Sequence, residues 1–333
     1  MARLDPAVAE VRRAVRLSLD DLDPGARLVV ACSGGADSMA LAAATVFEAR
    51  TAGWLVGAAV VDHQLQEGSP RVARVVASRL QVLGCDPVEV AQVDVGARGG
   101  PEAAARAARY DALERFAERQ GAVLLLGHTL DDQAETVILG LARGSGIRSL
   151  SGMSATTPRL RRPLLSLTRA TTRQACAAMG LEIWEDPHND DARFARVRVR
   201  GRVLPVLEAE LGPGVAAALA RTAASARQDN AALDELADAL YHQALLPEGA
   251  LEVAELARAA PALRRRALRL AALEAGCPPG ELFAVHIDAV ERLVSGWRGQ
   301  GPLDLPGQVK ASGDGHTLGF RRAGVGRLSD RDH

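Results

Sequence analysis

The chain has 333 residues, 48% of them apolar, and a formal net charge of −1. That length and apolar content suffice for two domains with a sizeable core, while the near-zero charge argues neither for nor against a nucleic-acid partner. No stretch of 18 apolar residues and no leading apolar segment follow Met1, and Cys32, Cys85, Cys176 and Cys277 form no C-x-x-C pair, so the composition excludes a membrane span and a cysteine metal site and predicts a cytoplasmic protein.

Val8, Val11, Val15 and Leu17 recur at helical spacing and predict a leading helix within residues 1–20. The run Leu28-Val29-Val30-Ala31-Cys32 reads as a buried strand, and Met39 to Ala44 as a helix. Between them stands Ser33-Gly34-Gly35-Ala36-Asp37-Ser38. A glycine pair there lets the backbone turn sharply and approach a ligand closely. Two hydroxyls and the free N–H groups of the helix start favour an anion, so the segment reads as a phosphate cradle rather than a bare strand–turn–helix junction. It is not a Walker A loop, because G-x-x-x-x-G-K-[ST] is absent and the only lysine is Lys310. Asp37 inside a phosphate loop calls for a divalent cation beside it.

Leu55–Val61 reads as a second strand ended by Asp62-His63, and Ser69-Pro70 opens a helix that Gly84 closes. Val88–Val95 is a third strand, and residues 101–120 a long helix. Ala122–Gly127 is a fourth strand, followed by a helix over Asp131–Arg143. The alternation predicts an α/β fold: a doubly wound parallel five-stranded sheet in the order 3-2-1-4-5, covered on both faces. Strands 1 and 4 then flank the switch point where ligands bind. This sets Gly127-His128-Thr129-Leu130-Asp131-Asp132 against Ser33–Ser38, with Asp62-His63 on the other side.

Asp131 and Asp132 at a helix start serve either as dipole-complementing caps or, with Asp37, as oxygen ligands for Mg2+. His128 reads as a hydrogen-bond donor, a proton shuttle, or a polar residue facing water. Residues 151–204 hold ten arginines against five acids. Among them Arg196 and Arg200 share a face on a helix, with Arg198 elsewhere; on a strand all three share one face. They suit a phosphate backbone, or else form a solvated, ion-paired surface. Beyond Pro205 the chain turns Ala/Leu-rich and helical, over roughly 215–240, 262–275 and 283–294, with a hairpin around Gly313-Asp314-Gly315 and a tail. The organisation predicted is a catalytic domain over 1–207 and a smaller, mainly helical substrate domain over 208–333.

The Ser33–Ser38 string resembles the pyrophosphate loop (PP-loop) of the ATP pyrophosphatases, which split ATP into AMP and pyrophosphate. Gly127-His128, Asp132-Gln133-Ala134-Glu135-Thr136, Arg143-Gly144-Ser145-Gly146, Arg162-Pro163-Leu164-Leu165, Glu185-Asp186-Pro187 with Asn189, and Arg196 to Arg200 narrow the match. Together with Asp62-His63 and Glu102…Ala105-Arg106…Arg109-Tyr110, they resemble the tRNA(Ile)-lysidine synthetases over about residues 27–207. Gln64 and Gln66 replace the family's Gly and Arg, Thr129 stands where a second histidine is frequent, and Val197 replaces an asparagine.

The resemblance implies a ligase that adenylates the wobble cytidine of a CAU-anticodon tRNA(Ile) with ATP and Mg2+, after which free L-lysine displaces AMP. It further implies ATP contacts from Ser33, Gly34, Gly35, Ala36, Asp37, Ser38, Asp62 and His63. Metal ligands would be Asp37, Asp131 and Asp132; catalytic groups Asp37, His128 and Asp132; and tRNA contacts Arg143, Arg196, Arg198 and Arg200. A tRNA thiolase would need a persulfide cysteine or a cluster held by C-x-x-C, and an amidotransferase would need a glutaminase partner; the sequence offers neither. A universal-stress-type nucleotide binder has no use for the acidic pair or the arginines.

Overall fold

The computed structural model describes residues 4–62, 68–93, 101–144, 146–186 and 191–322. His63, Ser145, Asn189, the side chains of 101–106 and the tail from residue 323 lie outside that description. The chain forms two compact units, Met1–Arg227 and Gln228–His333.

In the first unit, α1 (Pro6–Ser18) is started by Asp5, whose carboxylate accepts from Ala7 N at 2.8 Å, and by Pro6 in the first turn. There follow β1 (Arg27–Ala31), α2 (Ala36–Ala52), β2 (Leu55–Asp62), α3 (Ser69–Leu83), β3 (Val88–Gln92), α4 (Pro101–Gln120), β4 (Val123–Leu126) and α5 (Leu130–Ala142). The parallel order β3-β2-β1-β4 is the predicted one. Instead of five strands the sheet has six. The last two positions are filled by a two-residue hairpin, β5 (Thr156–Thr157) and β6 (Leu160–Arg161), with β6 parallel to β4 and β5 antiparallel at the edge. Strands this short carry no periodicity that a sequence pattern could register.

β1 reads as one apolar run because both of its faces are buried. Leu28, Val30 and Cys32 enter the core beneath α1, α2, α3 and α7 (Arg169–Ala178), while Val29 and Ala31 face Leu113, Phe116 and Ala117 of α4. β2 and β4 divide the same way: Val56, Ala58, Val60 and Leu125 to the first core, Ala59, Leu124 and Leu126 to the second. The pairing of Ala31 with Ala59 and with Leu126 brings the carboxyl ends of three strands to one rim.

After α6 (Ile147–Leu150) and α7, the arginine stretch forms α8 (Ala195–Arg198), a π-helical turn (Val199–Val203) and α9 (Leu204–Leu211). This decides between helix and strand. Val199 and Leu204 pack on Ala134 of α5, joined by Ala216 and Leu219 at the start of α10 (Val215–Ala244). The first unit therefore runs past the 207/208 boundary read from the sequence, and the division falls inside α10.

In the second unit, α11 (Val253–Arg258), α12 (Pro261–Glu274) and α13 (Ala284–Ser295) share a core with an antiparallel sheet of order β7-β10-β9-β8. The expected hairpin is β9 (Val309–Gly313) with β10 (Thr317–Arg322). It is extended by β8 (Leu303–Leu305) on one side and β7 (Leu251–Glu252) on the other. Asp314 closes its turn by accepting from His316 N at 2.8 Å and Thr317 N at 2.7 Å.

Candidate active site

β1 ends at the predicted phosphate loop. Gly34 adopts φ +85°, where a Cβ would lie 2.6 Å from Val76 Cγ2, and its carbonyl accepts from Trp184 N at 2.8 Å. Only glycine fits this turn without strain. Gly35 caps α2, and Ser38 folds back under the loop: its hydroxyl donates to Gly35 O at 3.0 Å and accepts from Ser33 N at 3.2 Å. The loop is thus shaped from within, and the N-terminal end of a 17-residue helix points along it.

β4 arrives beside this helix start. A Cβ on Gly127 would lie 3.0 Å from Asp37 O and 3.1 Å from Ser38 N, so the glycine permits the close approach that topology predicted for the switch point. Thr129 caps α5 in a capping box: Asp132 Oδ2 accepts from Thr129 N at 2.9 Å and from its hydroxyl at 3.0 Å. Asp132 therefore caps the helix with one carboxylate oxygen and meets Arg169 with the other at 2.9 Å. Asp62 is buried at the end of β2, where Ser69 donates to it at 2.7 Å and ties strand to α3. Its neighbour His63 lies outside the described residues.

The sequence reading missed the residue at the centre. Arg169, the first residue of α7, approaches Asp37 at 3.6 Å, Asp132 at 2.9 Å and Glu135 at 3.4 Å, and its backbone N donates to Asp131 at 2.8 Å. Thr172, one turn on, donates to Asp37. Glu135 is fully buried and also takes Arg200 Nε at 2.7 Å and Arg196 Nε at 3.8 Å. Helical spacing puts Arg196 and Arg200 on this face. Arg198, on another, donates to the carbonyls of Ala192 and Arg193 at 2.8 Å each. Arg143 is exposed at the end of α5 and donates to Leu139 O at 3.1 Å. Nothing local to Arg169 marked it; only the fold carries α7 across to α5.

These neighbours set the carboxyl groups apart. Burial pushes the Asp37 carboxyl above the usual range, against the pull of Thr172 and Arg169. Burial also acts on Asp132, but Arg169 and the Thr129 donors outweigh it and hold that carboxyl below the usual range. The expected metal set does not converge. Asp131 turns to the Arg169 backbone, the Arg169 guanidinium sits among the other carboxylates, and among the described residues no three His, Cys, Asp or Glu side chains gather to hold a metal. The residues as placed do not fit a magnesium ion held by protein ligands alone. Beside them a pocket of about 190 Å³ is lined by Asp131, Glu135, Arg169 and Arg200 on one side and Leu204, Pro205, Glu208 and Ala216 on the other.

His128, at the end of β4, accepts at Nδ1 from Arg162 Nε at 3.2 Å. All four cysteines are free and buried, and burial pushes the Cys85 and Cys176 thiols up to about 12 and about 11. Neither is a thiolate near neutral pH, which leaves sulfur chemistry without a nucleophile at these positions. Among the described residues no single helix is long and apolar enough to cross a membrane.

Residues 8–207 match the PP-loop domain family, and residues 251–315 match the TilS substrate binding domain. The chain is similar in fold to the U34-tRNA thiolase NcsA from Methanococcus maripaludis with its [4Fe-4S] cluster: TM-score 0.56, 17% identity, 65% of this chain and 78% of that one. At that identity the likeness is one of fold alone. The tRNA(Ile)-lysidine synthase of Streptomyces coelicolor is 52% identical, over 95% of this chain and 99% of its own. That of Thermobifida fusca is 55% identical, over 91% and 94%. With both halves matched in order and the phosphate loop, acidic helix start and arginine segment meeting at one rim, the chain belongs to the tRNA(Ile)-lysidine synthase family of PP-loop enzymes.

Proposed function

We propose that the chain joins free L-lysine to C2 of the wobble cytidine in the CAU anticodon of tRNA(Ile). ATP adenylates the C2 oxygen and pyrophosphate leaves. The lysine amine then attacks C2, the C2–O bond breaks, and AMP departs with that oxygen. The observation that carries this reading is the meeting of the Ser33–Ser38 loop with the Asp132 end of α5, beside the pocket lined by Arg169 and Arg200.

The loop N–H groups and Ser33 and Ser38 suit the departing pyrophosphate, and Asp37 and Asp132 orient what binds there through Arg169. ATP enters as its magnesium complex, so the cation belongs to the substrate and not to a cage of protein carboxylates. Exposed Arg143 and Arg198 are placed to take backbone phosphates; Arg196 and Arg200, each partly exposed, combine that task with pairing to Glu135. A thiolase reading lacks a reactive thiol, and no glutaminase partner is needed because lysine brings its own nitrogen.

Mass spectrometry of CAU-anticodon tRNA(Ile) incubated with ATP and lysine is the test. The expected result is a gain of lysine minus water on the wobble cytidine, with AMP and pyrophosphate formed in equal amounts. Replacement of oxygen by sulfur, or ATP turnover with no change in the tRNA, would overturn it.

A further inference from the structure

His128 was left with several roles by its sequence position, and its neighbour selects among them. Arg162 Nε lies 3.2 Å from His128 Nδ1. A guanidinium has donors only and keeps its charge, so the ring nitrogen facing it must be an acceptor. When one ring nitrogen accepts, the proton of a neutral imidazole sits on the other. We infer that Arg162 is a positioning residue that holds His128 in its Nε2–H form, making the histidine a neutral hydrogen-bond donor toward the reacting oxygens and not a base.

Arg162 cannot easily turn away from this task. Its Nη1 donates to Ser154 O at 2.7 Å and its backbone N to Ala155 O at 2.7 Å. The segment it grips is fixed in turn: Gln133 of α5 holds Met153 in both directions, accepting from its N at 2.7 Å and donating to its O at 3.0 Å. Arg227 donates to the same carbonyl at 2.6 Å and also to Ser151 O. Gly152, at φ +57°, lies so close to Gln133 that a Cβ would sit 2.5 Å from its Oε1. The strap between α6 and β5 is thus clamped from two helices, and the guanidinium inherits its rigidity.

Asp132 also acts electrostatically on His128 and would by itself favour an imidazolium. Its oxygens are already engaged by Thr129, Arg169 and Arg200, which weakens that pull. A donor fixed at the end of β4, beside the helix start that faces the phosphates, suits the negative charge that grows on phosphoryl oxygens during adenylation. That role rests on the lysidine-forming reading; the ring's protonation does not, and can be read without any turnover.

Long-range proton–nitrogen correlation spectra of the full chain labelled with ¹⁵N-histidine decide it, with the His128 signals assigned by their loss in His128→Gln. In the wild type at pH 8, Nε2 should be protonated and Nδ1 bare. Arg162→Met should move the His128 pattern toward a mixture of tautomers while leaving the other histidine signals in place, and Arg162→Lys should fall between. A wild-type ring protonated at Nδ1, or at both nitrogens, overturns the proposal, and so does an unchanged His128 pattern in a folded Arg162→Met protein. If Arg162→Met fails to fold, the wild-type spectrum still decides. A second readout is the turnover cycle: the loss caused by Arg162→Met should vanish on a His128→Ala background, and fully additive losses would show that Arg162 acts independently of the ring.

Discussion

Glu135 is the most constrained side chain at the site: fully buried and held by three arginines. Removing a partner from such a group costs more than an exposed ion pair contributes. Arg200→Met should therefore destabilise the first unit by about 1–3 kcal/mol, since Arg169 and Arg196 still pair with Glu135, whereas the exposed Arg198→Ala should be nearly neutral. Urea titration of the two variants checks this. The same contrast sharpens the tRNA test. Arg198→Ala should lower the slope of log affinity against log salt by about 0.7–0.9 if it neutralises one phosphate, with no accompanying loss of stability.

Asp132, whose folded pKa is lowered, contributes stability that is present above its unfolded pKa and lost as pH falls through the folded value. Asp37 is raised and has the opposite sign: stability present below its unfolded pKa is lost as the pH rises from there through the folded value. Asp132→Asn should thus flatten the acid limb of a stability–pH curve below the usual carboxylate range, and Asp37→Asn should leave that limb and raise stability above it. Asp37→Asn should nonetheless lose ATP–pyrophosphate exchange; an exchange rate equal to wild type would remove Asp37 from the site. The cysteines give a simpler check. With thiols buried and raised, iodoacetamide at pH 8 should leave activity intact in the folded protein.

At the scale of elements, the phosphate loop depends on one backbone conformation. Gly34→Ala must hold an L residue at φ +85° and push a methyl into Val76, so it should cost about 1–3 kcal/mol from backbone strain alone and abolish ATP binding. Gly25, also at positive φ but with open space around it, is the control: its alanine variant carries strain without collision and should retain ATP binding. Calorimetric melting with and without ATP separates the two effects, because bound nucleotide raises the melting temperature only where the loop survives.

At the scale of the molecule, α10 carries the boundary, and a truncation tests it. A chain ending near Glu210 would remove Ala216 and Leu219 from their packing on Ala134, Val199 and Leu204, and would lose the Arg227 clamp on Ser151 and Met153. A chain ending near Glu235 keeps both. The longer piece should fold, bind ATP and fail to modify tRNA; the shorter should be markedly less stable. Modification of tRNA by the longer piece at the full-length rate would show that the second unit is not needed to present the substrate.

The four long parallel strands, the phosphate loop and the acidic helix start were legible in the residues themselves, because each is set by local rules. Buried parallel strands need continuous apolar runs, a turn at positive φ needs glycine, and a helix start attracts Asp and Thr. The adjacency of β1 and β4 was legible too, since handedness leaves few ways to order alternating strands and helices. What the tertiary structure alone decided are the encounters between distant segments. Arg169 reaches Asp37 and Asp132 only because α7 packs beside α2, and Arg162 reaches His128 only because a two-residue strand extends the sheet past β4. An arginine's charge is visible in a sequence, but its partner is not, because the interaction falls within a few ångströms in space and has no period along the chain.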